Sequence, residues 1–148
     1  MEVASKALAA GVSPWDVALE VYESQPAERV RLLGKVLPSL ELAPSGLYGS
    51  ITVTQAMMAE SGASKDMLDG FINFPRGIQG VEVAIQFREE EGQIHKVSFR
   101  SRGRINVAQV AEKFGGGGHA NAAGCTVVGS LDQVRERIFA AVEESLNE

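Results

Sequence analysis

Two histidines, four aspartates and one cysteine leave 148 residues with few groups for chemistry. His95 and His119 stand far apart, and Asp16, Asp66, Asp69 and Asp132 form neither an Asp-x-Asp nor an Asp-His-His pattern. Metal-dependent phosphate hydrolysis needs clustered Asp and His ligands to hold ions and activate water. Nothing in this sequence supplies such a cluster. A nucleophilic hydrolase is equally unsupported, since Cys125 falls in a predicted strand and neither histidine has a carboxylate orienter nearby in sequence. The lone cysteine cannot close an internal disulfide, which fits a reducing compartment, and it reads as buried filler. No apolar run approaches the roughly 20 residues of a membrane span. The start, Met1 to Lys6, has no basic segment followed by an apolar core, so it is not a signal peptide. The expected location is the cytoplasm, with no membrane partner.

What the chain does have is an ordinary globular composition, 45% apolar and 22% charged, with a net charge of −5. That sign argues against a general nucleic-acid surface. The charge is nevertheless uneven: residues 92–131 hold Lys96, Arg100, Arg102, Arg104 and Lys113 against the single acid Glu112. A basic island in an acidic protein points to a local anion site rather than a polyelectrolyte track.

The island surrounds the most informative stretch, Phe114-Gly-Gly-Gly-Gly-His119-Ala-Asn-Ala-Ala-Gly124. Four glycines, Gly115 to Gly118, permit positive φ and remove every Cβ that would hold a ligand off. Successive N–H groups can then converge on one anion, and His119 adds a donor of the one side-chain type that titrates near neutral pH. A flexible linker would carry polar, Gly/Ser-rich flanks. Here an amphipathic helix runs into the glycines and an apolar strand leaves them. A P-loop would need Lys-Ser/Thr after the last glycine, and a dinucleotide fingerprint a strand before and a helix after. Neither order is present.

Along the chain, residues 2–10 and 14–23 read as helices, the second opened by Ser13 and Pro14, with Trp15, Val21 and Tyr22 as packing residues. A third helix is expected from near Pro26 to Pro38, with Val30, Leu33, Leu37 and Leu40 as its stripe. Leu42 to Gly46 is the best internal boundary. Tyr48 to Val53 reads as a strand, Thr54 to Glu60 as a helix with Met57 and Met58 filling core gaps, and 64–71 as another helix, while Pro75-Arg76-Gly77 reads as a turn. Strict alternation over Val81 to Arg88, a Glu89–Gly92 turn and Ile94 to Arg100 form a hairpin. Its second strand puts His95, Val97 and Phe99 on an apolar face and Lys96, Ser98, Arg100 and Arg102 on the other. His95 is thus a core histidine. Asn106 caps a helix with Val107, Val110, Ala111 and Phe114 inward, a strand covers 125–128, and Ser130 with Gln133 opens a last helix buried through Leu131, Val134, Ile138, Val142 and Leu146. Helices followed by β-α-β-β-α-β-α imply an α/β fold, a mixed β-sheet with helices packed on it, preceded by an N-terminal helical connector.

GGGGHANAAG resembles the signature of the DHH-associated domain, the C-terminal substrate-binding domain of the DHH phosphoesterases. VEVAIQFRE, HKVSFRSR and INVAQVAEKFGGGGH follow in that family's order, and the chain is most similar to the oligoribonuclease and pAp-phosphatase branch. The resemblance implies a connector over 1–45, a substrate-binding domain over 46–148, and a separate N-terminal DHH domain, absent from this sequence, that holds a manganese pair. The chain is therefore expected to be part of a longer protein, to hold no cofactor itself and to be inactive alone. It also implies that Arg100 and the loop Gly116 to His119 contact phosphate and sugar. Read from the residues, Ser98 or Ser101 adds a hydroxyl, and the guanidinium of Arg100 and the glycine N–H groups, from Gly115 on, close around one phosphate. The expected partners are a nucleotide or short single-stranded oligonucleotide, the chain's own DHH domain and, as an option, a second copy in a homodimer. Two other roles share the signature: the module appended to alanyl-tRNA synthetases, and the substrate domain of cyclic-dinucleotide phosphodiesterases.

Overall fold

A computed structural model of the chain describes Trp15 and residues 24–148. The helices expected over 2–10 and 14–23, with Val21 and Tyr22, lie outside the described residues. Trp15 itself is helical and 68% exposed, not the packing residue expected.

Six strands form one mixed sheet: β1 (Glu41–Leu42), β2 (Tyr48–Val53), β3 (Val83–Glu89), β4 (Ile94–Ser101), β5 (Gly117–His119) and β6 (Ala122–Val128). Their order is β1-β2-β3-β4-β6-β5. Only β2 and β3 run parallel. The long connection between them carries helix α2 (Gln55–Ser61), a 3-10 turn (Lys65–Leu68) and the short helix α3 (Asn73–Arg76), as a parallel crossover requires. Helix α1 (Ala27–Val36) precedes the sheet, α4 (Val107–Glu112) links β4 to β5, and α5 (Leu131–Leu146) ends the fold.

Local signals account for the boundaries. Thr54 accepts a bond from the Met57 amide, Asn106 from that of Ala108, and Ser130 from that of Gln133, whose side chain answers the Ser130 N–H at 3.0 Å. These caps supply acceptors for amides that a helix start leaves orphaned. Because side chains alternate along strands, the pairing register sorts the sheet into two faces. One carries Val83, Ile85, Phe87, Val97, Phe99, Ala123, Cys125 and Val127 and is sealed by α4 and α5 through Val107, Val110, Val134, Ile138 and Val142. On the other face, β2 is covered, with Ile51 and Val53 packing with Leu32 and Val36 of α1 and with Leu68 and Phe71, and Ala84 of β3 is buried beside it at 1% exposure.

Several expectations are corrected. Of the stripe expected for α1, Leu33 and Leu40 pack against the core cluster, whose buried α1 members are Leu32 and Val36, while Val30 is 54% exposed. The helix expected over 64–71 is a 3-10 turn, and α3 forms where a turn was expected. Glu41 and Leu42, placed at the internal boundary, pair with Ser50 and Gly49 instead, so α1 and β1 are built into the same body as the sheet.

Candidate functional site

On its uncovered side, the sheet is a staircase of short rows set by register. The pairs His119↔Ala122, Ala122↔Arg100 and Ala84↔Arg100 place His119, Ala122, Arg100 and Ala84 in one row across four strands. The next row holds Gly117, Gly124, Ser98 and Gln86, and the one after it Thr126, Lys96 and Arg88. Strands are about 4.8 Å apart, so His119 on β5 and Arg100 on β4 stand roughly 10 Å apart at their backbones, over a floor of alanine. Two donors at opposite walls of a shallow floor can grip the two sides of a small anion.

Arg100 is half-buried, and one Nη donates to the Phe99 carbonyl at 2.8 Å. A guanidinium has five N–H donors, so this bond leaves the greater part of the fork without a partner among the described residues. Among the described residues no carboxylate pairs with Arg100, Lys96, Arg102, Arg104 or His119, whereas Lys35, Lys65, Arg88, Lys113 and Arg135 each have one. Cations that lack acids on one face leave an uncompensated positive field.

The four glycines do different things. Gly115, at φ +81°, donates to Glu112 O at 3.1 Å, and Gly116 donates to Ala111 O at 3.0 Å. This pair of bonds about a left-handed glycine is the Schellman ending of α4. Their amides are consumed there, which corrects the expectation that they converge on an anion. A Cβ on Gly116 would lie 2.7 Å from Cys125 Cβ and collide with Gly124 O, so its glycine serves close packing against β6. Gly118, at φ +145°, would put a Cβ 2.7 Å from Ala123 Cα. Gly117 alone combines a φ outside the left-handed region with a Cβ position that meets nothing within 4 Å. Instead of a loop, Gly117 and Gly118 begin the edge strand β5.

Ser98 is half-buried on the open face, beside Gly124. Ser101 is not with it. It faces the other way, 1% exposed, and its hydroxyl donates to Ile105 O at 2.7 Å. Parity along β4 separates the two serines, and the expectation that Ser101 reaches a ligand is corrected accordingly. An open groove of about 380 Å³ runs between the end of α4 and strands β4 and β6, lined by Lys96, Ser98, Gly115, Gly116, Gly124 and Thr126, with Phe114 at one wall. Lys96 and Thr126 were not singled out as site residues, although the alternation of β4 already placed Lys96 with Ser98 and Arg100.

Other groups do not join this site. His95 is 2% exposed on the sealed face, with neither ring nitrogen hydrogen-bonded. Cys125 faces the same core, and burial pushes its thiol up to about 11, so it is held as the unreactive thiol. Tyr48 donates to Glu143 on the α5 side; burial first, then that bond, raises its hydroxyl well above the usual range. Among the described residues no three His, Cys, Asp or Glu side chains converge in a way that could hold a metal ion, and no helix is long and apolar enough to cross a membrane.

Comparisons with known proteins fall on the same residues. The model of the DHHA1 domain matches residues 49–148. The bifunctional oligoribonuclease and PAP phosphatase NrnA of Thermus thermophilus is 35% identical over 147 residues, 99% of this chain and 43% of that protein. Its namesake from Bacillus subtilis is 28% identical over 124 residues, 84% of this chain and 38% of that protein. The chain thus spans about two-fifths of the length of these curated relatives. Among solved structures, an exopolyphosphatase-related protein from Bacteroides fragilis superposes with a TM-score of 0.83 at 28% identity, covering 95% of this chain and 41% of that one. A pGpG-specific phosphodiesterase from Vibrio cholerae, TM-score 0.55 at 12% identity, covering 90% of this chain and 47% of that one, shares the fold.

Proposed function

The chain belongs to the DHHA1 domain family, and on that premise we propose that it is the substrate-recognition part of a DHH phosphoesterase acting on short oligoribonucleotides or pAp-like nucleotides. The single observation that carries the reading is the row His119–Ala122–Arg100: two donors without an acid partner among the described residues in one row of the open face, with only an alanine between them. Arg100 would bind a phosphate with the free part of its fork, a charge-assisted contact. His119 would close on the same group or on the adjacent sugar, while Ser98 and the groove beside Gly117 would take the nucleoside. Ligand and chain would thus meet over small residues, where a sugar and phosphate can lie close to the backbone.

The hydrolytic step belongs elsewhere in this proposal. Manganese would be held by an N-terminal DHH domain, since the carboxylates and histidines of this chain do not come together in its described residues; no step of catalysis is assigned to them. That domain would be the chain's main protein partner, in a cytoplasmic enzyme. The likeness to relatives named for oligoribonuclease and PAP phosphatase activities supports this substrate class.

Titration of the chain with adenosine 5′-monophosphate at low salt tests the reading. Arg100→Gln and His119→Ala should each weaken binding by about tenfold or more, as expected for loss of a charge-assisted contact. Both side chains are at least partly exposed, so melting temperatures should stay close to the parent's. Parental affinity in both variants refutes the assignment.

A further inference from the structure

The row through Arg100 continues past Ala84 to Gly49 on β2, where α3 sits on the open face: a Cβ on Gly49 would touch Pro75 Cβ at 3.7 Å. At that end a second depression opens, about 470 Å³ in volume and lined by Asn73, Arg76, Gly77 and Arg102. Arg102 follows β4 in the same alternation as Lys96, Ser98 and Arg100. Two residues along a strand separate it from Arg100, about 6.7 Å between their Cα atoms.

The two arginines of this depression are held together. One Nη of Arg102 donates to the backbone carbonyl of Arg76 at 2.9 Å, fixing its guanidinium over the turn that carries the other. Neither guanidinium has an acid partner, and neither the Arg76 fork nor the Asn73 amide has any side-chain hydrogen bond among the described residues. Glu82, whose backbone carbonyl accepts the Arg102 N–H at 3.1 Å, forms no ion pair with either. Two like charges lining one depression without an acid repel unless an anion joins them, and planar forks with an amide donor beside them suit phosphate oxygens.

We infer that Asn73, Arg76 and Arg102 form a second phosphate subsite, one strand-pair step from Arg100, so that the chain prefers ligands carrying two phosphates over those carrying one. The inference rests on the proposed Arg100–His119 site as the first subsite. The ligand would lie along β4, its phosphates against Arg100 and Arg102, with a nucleoside on the Ala122 side of Arg100, since Ala84 is only 1% exposed. A mononucleotide fills the first subsite only. A 5′-phosphorylated dinucleotide fills both.

The test compares adenosine 5′-monophosphate with the 5′-phosphorylated adenosine dinucleotide on the parent chain, on Arg100→Gln and on Arg76→Gln/Arg102→Gln. The double variant should lose about tenfold or more of dinucleotide affinity while mononucleotide affinity changes by less than about twofold. Arg100→Gln should weaken both ligands. If the double variant binds the dinucleotide as the parent does while Arg100→Gln does not, the second subsite is wrong and the first stands. If the double variant loses the mononucleotide as well and Arg100→Gln keeps it, the first phosphate sits at Arg76 and Arg102, and the Arg100 site is the wrong one. A chain that binds neither ligand overturns both. Should the double variant melt early through loss of the Arg102–Arg76 bond, the single Arg76→Gln, whose side chain makes no bond, gives the same comparison.

Discussion

Replacing Gly117 by valine separates a binding surface from a structural glycine run. At most glycines of the run a side chain would damage the fold. A Cβ on Gly116 would overlap Gly124 O and Cys125, and one on Gly118 would meet Ala123 at a φ of +145°. Gly117 differs, with nothing within 4 Å of its Cβ position and a φ outside the left-handed region. In a strand, a β-branched residue is favoured over glycine, whose excess unfolded-state freedom costs about 0.5–1 kcal/mol. Stability should therefore hold or rise by up to about 1 kcal/mol, a few degrees in a domain of this size. The new side chain, however, projects from the row of Gly124 and Ser98, directly beside the His119–Arg100 row. It would fill the approach to the alanine floor and to the groove below. Nucleotide affinity should fall by about tenfold or more, equivalent to roughly 1.4 kcal/mol, because two isopropyl methyls occupy the ligand's space. Differential scanning calorimetry and titration calorimetry on the same preparation read both numbers. A variant that melts with the parent and binds with the parent's affinity would refute the claim that ligand passes over Gly117; one that melts well below it would refute the reading of Gly117 as open.

Ser101→Ala removes a buried hydroxyl that donates to Ile105 O and leaves that carbonyl short of a partner. It should cost about 1–3 kcal/mol in chemical denaturation without changing nucleotide affinity of the folded chain; a binding loss at unchanged stability would return Ser101 to the site. Cys125, with its thiol raised to about 11, should react with a thiol reagent at pH 8 far more slowly in the native than in the denatured chain. The folded thiol stays neutral where the unfolded one ionises, so its contribution to stability is full below about pH 9 and declines as pH rises toward 11. A Cys125→Ala chain should lose less melting temperature over that interval, and an equal loss in both would show that another group controls it.

Much of the fold was legible because it follows from short-range rules. Alternation in Val81 to Arg88 and Ile94 to Arg100 specified a hairpin, and its parity separated the core histidine from the cation row before any contact was known. Capping side chains at Asn106 and Ser130 located helix starts to within a residue or two. What escaped depends on tertiary context. Strand β1 is two residues long, too short for a period, and exists because β2 offers it an edge. Helix α3 contains Pro75, which reads as a turn signal, but it is stabilised by seating on β2 and β3 rather than by propensity. The stripe of α1 was legible in part: Leu33 and Leu40 pack against the core, but its buried centre is Leu32 and Val36, which meet Ile51 and Val53, and Val30 is exposed.

The glycine run shows where composition stops carrying information about a site. Four identical letters predict one property, freedom from Cβ, and from it a nest of converging amides. In the fold, each glycine answers a different neighbour. Gly115 is needed for its sign of φ, which lets α4 end; Gly116 for the 2.7 Å that would separate a Cβ from Cys125; Gly118 for both reasons at once. Only Gly117 is free of every such demand, and so only there can the missing side chain be explained by something that lies outside the chain. The same reasoning distinguishes the arginines. Arg88 and Arg135 have carboxylates that account for them, whereas among the described residues Arg76, Arg100 and Arg102 have no acid partner, and theirs is the charge that the proposed phosphate contacts would answer.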